Sequence, residues 1–292
     1  MRNATLIPAD GRLGAPDRAA RATPSPLLRV AFVLAAAIAI AMVAASIVGL
    51  TVHGLYADSA WGREALRGGD LVSLLIAAPV LIAALVLAVR GSMRAQLVVI
   101  GMLAYTLYDY AYYTFGAAFN AAFLLHIALF SLSVFALACA IPGVDAVAVR
   151  DLLRSRGAAR WVGGMLVVVG VLQGALWIFV VLRFAVTGEL LHDIPVAGQH
   201  LVFALDLALL VPSLILAGVL LILGKPMGYV LGAAMAVMGA AYQLNLMAAG
   251  AFQANADVAG TTAFPPEGIL LTTLFVAAAV ALLRPRRAQT RG

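Results

Sequence analysis

Two aspartates, Asp109 and Asp206, lie inside long apolar stretches of a 292-residue chain. Insertion scales put an aspartate at a helix centre about 2.5–3.5 kcal/mol uphill, so such a residue marks a substrate or ion path, a proton relay or an ion pair. Asp109 sits in a run where Tyr105, Tyr108, Tyr110, Tyr112 and Tyr113 surround one carboxylate. At 100° per residue Tyr105, Tyr108, Asp109 and Tyr112 share a helix face, and Asp109 is about 9 Å of helix rise from Phe115. An interfacial aromatic belt needs fewer tyrosines on fewer faces. The run is therefore also read as the wall of a polar cleft.

Asp206 shares a face with Gln199 and Ser213, each seven residues away, and His126 shares one with Ser133. Arg183, Asn120, Gln243 and Asn245 lie toward the same ends of their helices, and His53, His192, Asp193 and His200 fall in or beside the adjoining loops. The expected cleft comprises Asp109, Tyr105, Tyr108, Tyr112, Asn120, His126, Arg183, Asp206, Gln243 and Asn245. Asp206–Arg183 and Asp109–His126 could instead be ion pairs that tie helices together, because a lone charge in lipid needs a partner. His192 and His200 with Asp206 offer a weaker metal-site alternative, against which unliganded loop histidines are the plainer reading. The chain has no GxxxxGK[ST], HExxH, CxxC or GxSxG, and no lysine in an expected helix for a Schiff base, so no cofactor is expected.

The elements that carry these residues are membrane helices. Hydrophobic residues make up 64% and charged ones 11%, far from the soluble averages of roughly 45–50% and 25%. A span needs about 20 mostly apolar residues, and eight blocks supply them: Val30–Val52, Leu71–Val89, Ala95–Phe115, Ala121–Ile141, Trp161–Leu182, Leu201–Leu223, Met227–Ala249 and Gly268–Leu283. The expected fold is an all-α, polytopic bundle of eight transmembrane helices. Residues 1–26 are expected to be a disordered cytoplasmic tail, 27–283 one membrane domain, and 284–292 a basic tail. The first block is too long for a signal-peptide core and is read as a retained helix, with Ser25 as its cap and Pro26 in its first turn. The single cysteine, Cys139, is expected to be a buried apolar residue.

The net charge of +6 would suggest nucleic acid in a soluble chain, but its placement argues for topology and some affinity for anionic lipid. Sixteen of the nineteen Lys and Arg residues precede the first block, follow the eighth, or fall between blocks two and three, four and five, or six and seven. By the positive-inside rule these segments and both termini are cytoplasmic. No nucleic-acid partner is expected.

Sliding the chain on itself by 133 residues pairs Leu74 with Leu207, Pro79 with Pro212, Ile82 with Ile215 and Gly91 with Gly224, with eight identities in the nineteen positions from Ser73 to Gly91. This reads as a parallel 4+4 tandem repeat, with halves near 27–141 and 161–283, whose third and seventh helices flank a shared cleft. Gly170/Gly174 and Gly224/Gly228/Gly232 read as close-packing sites, within the chain or in a homo-oligomer. The stretch Tyr105–Ser133, with its Tyr-Asp-Tyr-Ala-Tyr-Tyr and Gly-Ala-Ala-Phe-Asn cores, resembles one in uncharacterised bacterial eight-helix integral membrane proteins. That resemblance covers about a tenth of the chain and implies a bacterial inner membrane, with no activity attached. The residues fit three functions: a permease for a small molecule or ion, a metal-assisted intramembrane hydrolase, or a sensor or scaffold with a filled interior.

Overall fold

The computed structural model describes residues 24–153, 155–189 and 196–284, the side chains of 196–198 excepted. It is 84% helical, with no strand among the described residues. Helix α1 spans Pro26–Thr51, α2 Ala60–Val89 and α3 Met93–Phe115. Next come α4, Phe123–Gly143, a short α5, Ala146–Leu153, and α6, Arg156–Thr187. In α7, Val196–Leu205 passes through a wide turn at Asp206–Leu210 into Val211–Ile222. Helices α8, Pro226–Asn255, and α9, Pro266–Leu283, complete the set.

Local chemistry sets many of these boundaries. Ser25 Oγ accepts from the Leu28 amide at 3.2 Å and donates to the Gly143 carbonyl at 2.8 Å, joining the start of α1 to the end of α4. Ser59, Ser92 and Ser155 cap α2, α3 and α6 in the same way, each supplying an acceptor for an orphan amide of the first turn. Gly91, Gly188 and Gly224 take positive φ where α2, α6 and α7 end, a conformation available to glycine without a Cβ clash.

Among the described residues, seven helices are long and apolar enough to cross a membrane: α1, α2, α4, α6, the Gln199–Ile222 part of α7, α8 and α9. The expected third span, α3, falls outside that set. It carries Arg94, Gln96, Asp109 and five tyrosines in 23 residues, which lowers its hydropathy. Most of α3 is buried, so its polar groups meet protein.

Several helices outrun their expected limits. Helix α2 begins at Ala60, where Ser59 caps it, and its polar first turns carry a Glu64–Arg67 pair three residues apart at 3.1 Å. Helix α6 has 32 residues, about 48 Å of rise against a hydrocarbon core of about 30 Å. The helix α5 was not foreseen; the Asp145 carboxylate caps it by accepting from the Val147 and Ala148 amides. The expected terminal tails lie almost wholly outside the described residues.

Helix α8 is the centre of the bundle and packs against α2, α3, α5, α7 and α9. Gly68 is so close to α8 that a Cβ there would lie 2.6 Å from Ala249 backbone atoms, and one at Gly101 would lie 2.8 Å from the Ala234 carbonyl oxygen. The glycines flagged as close-packing sites face neighbours within the chain: Gly170 and Gly174 meet α7, Gly228 and Gly232 meet Leu220 and Leu221, and Gly224 makes the turn. Helix α1 packs along α4, whereas α6 and α9 have no such extensive contact. That difference leaves room in the second half of the bundle.

Candidate functional site

Helices α2 and α7 each carry one widened, five-residue-hydrogen-bonded turn, at Ser73–Ala77 and Asp206–Leu210. Each is followed two residues on by a proline, Pro79 or Pro212. A proline inside a helix lacks a donor and clashes with the carbonyl four residues back, and widening the preceding turn relieves that clash. The side chains of Ser73 and Asp206, at the first position of each wide turn, are fully or almost fully buried. Both enter polar networks.

Asp206 is 1% exposed. Its Oδ1 accepts from the Tyr108 hydroxyl at 2.5 Å, and its Oδ2 accepts from Gln173 Nε2 and Trp177 Nε1, each at 2.7 Å. The two donors on α6 are four residues apart, so one helix face presents both. The Tyr108 and Tyr242 hydroxyls are 3.3 Å apart, with their rings edge to face.

Asp109 forms a second centre. Asn245 Nδ2 donates to Asp109 Oδ1 and to the Tyr105 hydroxyl, both at 2.9 Å, using both amide hydrogens. Ser73 Oγ donates to Asp109 Oδ2 at 3.4 Å and is 3.2 Å from the Tyr105 hydroxyl.

A third carboxylate, Asp70, is wholly buried. It accepts from the Tyr56 hydroxyl at 2.7 Å. The Tyr113 hydroxyl, 3.3 Å from Asp70, donates to the Leu66 carbonyl at 2.6 Å. Burial and the adjacent Asp70 push the ionisation of the loop residue Tyr56 well above the ordinary tyrosine value. Among the described residues no salt bridge reaches Asp70, Asp109 or Asp206. Neutral donors occupy the oxygens of all three; Asp70 feels the charge of Arg67 at longer range, whereas no cation among the described residues is paired with Asp109 or Asp206.

Two adjoining cavities open beside these centres. The first, about 370 Å³, lies among α2, α3, α8 and the segment leading into α9, and is lined by Tyr108, Asp109, Tyr112, Tyr242 and Asn245. The second, about 630 Å³, lies among α6, α7, α8 and α9, and its walls include Gln173, Trp177, Phe203, Asp206 and Gln243. Tyr242, Trp61, Val202, Leu246, Pro265 and Glu267 border both. Both sizes fall in the range of small-molecule sites.

The expected cleft residues thus divide. Asp109, Tyr105 and Asn245 share one network; Asp206 and Tyr108 share the other; Tyr112 and Gln243 line the cavities. Asn120 is elsewhere: it donates to the Ala118 carbonyl and accepts from the Ala122 amide, which fixes the turn before α4. Arg183 is exposed and pairs with Glu189 at 2.6 Å, so the expected pairing with Asp206 does not form. His126 is buried between the rings of Tyr110 and Tyr113, and neither ring nitrogen has a hydrogen-bond partner. The expected Asp109–His126 pair is absent too. No three His, Cys, Asp or Glu residues gather as a metal site among the described residues. His200 is exposed there, while His192 and Asp193 lie outside them.

Sequence reasoning passed over Ser73, Asp70, Tyr56, Gln173 and Trp177. Gln173 and Trp177 did leave a signal, as a polar residue and an indole four apart deep in an apolar run. Asp70 and Ser73 stood at the edge of their block and read as its end.

The chain matches no family model, no curated protein and no solved structure.

Proposed function

We propose that this chain is a membrane transport protein, permease-like, whose cleft admits a small molecule or ion from the outer face. The observation that carries the reading is the pair of adjoining cavities, into which Asp109 and Asp206 open without a cationic partner. A scaffold or sensor expects a filled interior. Buried carboxylates beside a cavity are instead the groups that bind and release an ion or proton in coupled transport.

The reading includes eight crossings, with α3 as the polar one shielded by its neighbours. With that even count both termini share one side, and the basic segments support the cytoplasm as that side. The resemblance of Tyr105–Ser133 adds a bacterial inner membrane to the proposal. The 4+4 repeat is supported by local geometry as well as by identities. The wide turns start at Ser73 and Asp206, the helix-ending glycines with positive φ are Gly91 and Gly224, and Ser92 and Lys225 donate to the carbonyls of Leu87 and Leu220. Each pair is separated by the same 133 residues.

The test is flux in proteoliposomes containing the purified full chain, read with a pH-sensitive dye and with labelled solutes offered one class at a time. Protein-dependent flux should fall by about tenfold or more in Asp109→Asn. No solute or proton movement above that of empty liposomes would overturn the transport reading.

A further inference from the structure

We infer that the cavity among α6, α7, α8 and α9 binds an amphiphilic monovalent organic cation, such as an ammonium compound, with Asp206 as its counter-charge. The inference rests on the transport reading for its biological use, but the binding site can be tested alone.

Charge complementarity comes first. Asp206 is presented to the cavity from a cage of Tyr108, Gln173 and Trp177. The indole N–H can only donate, and the cage directs all three donors at the carboxylate oxygens, which suits the ionised form. These donors satisfy lone pairs and leave the negative charge uncompensated. Lys, Arg and His are absent from the described lining of both cavities, and the other carboxyl group on the larger one is Glu267. The missing charge is one that a ligand can bring.

The remaining walls narrow the class. Trp177 and Phe203 lie with centroids 4.4 Å apart and rings tilted by 31°, and Tyr242 lines the same cavity together with aliphatic side chains. Aromatic faces attract a cation that has shed part of its water, and indole attracts it most strongly. A small hydrated metal ion would leave the apolar walls unused, and an anion would be repelled by both carboxylates. A cation with an apolar body uses all three features. Sparse contact between α6 and α9 also gives such an amphiphile an approach from the bilayer side.

A proton at Asp206 would remove the attraction, so binding should weaken as pH falls. The titratable groups facing Asp206 are Tyr108 on α3 and Tyr242 on α8. Asp109 adjoins Tyr108 on α3, Glu267 borders the cavity from α9, and α6 contributes only the uncharged Gln173 and Trp177.

The test uses the full chain in detergent or nanodiscs and two ions of one shape, tetraphenylphosphonium and tetraphenylborate. Equilibrium dialysis and tryptophan fluorescence should report one saturable phosphonium site per chain, about tenfold or more tighter than any borate site. Phosphonium binding should weaken at acid pH and drop by about tenfold or more in Asp206→Asn, with the thermal transition used to confirm that the variant is folded. If Asp206→Asn does not fold, the comparison of the two ions on the natural chain decides. Equal binding of both ions, no saturable phosphonium binding, or unchanged affinity in a folded Asp206→Asn would each overturn the inference. Saturable binding without flux would leave this site standing and remove the transport reading. Flux of some solute without phosphonium binding would remove the site alone.

Discussion

At the scale of single residues, the recurring solution to a carboxylate in an apolar bundle is a neutral cage. Asp70 shows how such a cage adds to stability, because Tyr56 reaches it from a loop outside the spans. Replacing Tyr56 by Phe removes one hydrogen bond to a buried acceptor, and the chain should lose about 1–3 kcal/mol, read from unfolding in detergent at neutral pH. The pH dependence has a definite sign. Tyr56 ionises above its ordinary value of 10.0 in the folded chain, so folding favours the neutral hydroxyl. That contribution is whole below about pH 10 and is lost as pH rises further. The gap between natural chain and Tyr56→Phe should therefore narrow above pH 10. A gap that widened there would contradict the assigned hydrogen bond. Asp109, Tyr108 and Asp206 were legible in the sequence because a charge or a cluster of phenols stands out against leucine and alanine. Of their partners, Asn245 was expected in the cleft, whereas Gln173, Trp177 and Ser73 were not, since they come from other helices. Helical periodicity says which residues share a face and nothing about which face lies opposite.

At the scale of elements, most spans were legible because hydrocarbon imposes a length and an apolar composition on each. The chief departures occur where protein replaces lipid as the surroundings. Helix α3 tolerates Asp109 and five tyrosines because most of it is buried, and α8 is 72% buried over its most apolar window. Without a hydrophobic force between helices in lipid, close packing of small residues holds such a centre together. Gly68→Ala should therefore be costly, by about 1–3 kcal/mol, because its Cβ would meet the backbone of Ala249, which cannot rotate aside. Gly164→Ala, also within a helix, has nothing within 4 Å of its Cβ. It should be neutral or stabilising by up to about 1 kcal/mol, since alanine restricts the unfolded chain. Thermal unfolding of the two variants in one detergent gives the comparison, and equal losses would mean that α2 and α8 do not approach as closely as described.

At the scale of the whole molecule, the earlier and later helices of the chain are packed differently. Among the earlier, α1 lies along α4 and the interior is closed over Asp70, Tyr110 and His126. Among the later, α6 and α9 stand apart and the interior is open beside Asp206. The ends of the bundle differ as well. One end gathers the loops around Asp58, which accepts from the Ala118 amide at 2.9 Å, and around Gln253, which donates to the Trp61 carbonyl at 2.9 Å. The other brings the start of α1 to the end of α4 and carries Arg94, Arg160 and Lys225. If the first end faces outward, as the charge distribution argues, a cysteine at the exposed Ala259 should react with an impermeant thiol reagent in intact spheroplasts. One at the exposed Val147 should react only after the membrane is opened. Cys139 is first replaced by Ala to remove background. The reverse pattern would invert the molecule and turn both cavities toward the cytoplasm. Labelling at both positions in sealed membranes would mean that one or all three of α6, α7 and α8 fail to cross, because those are the spans between Val147 and Ala259.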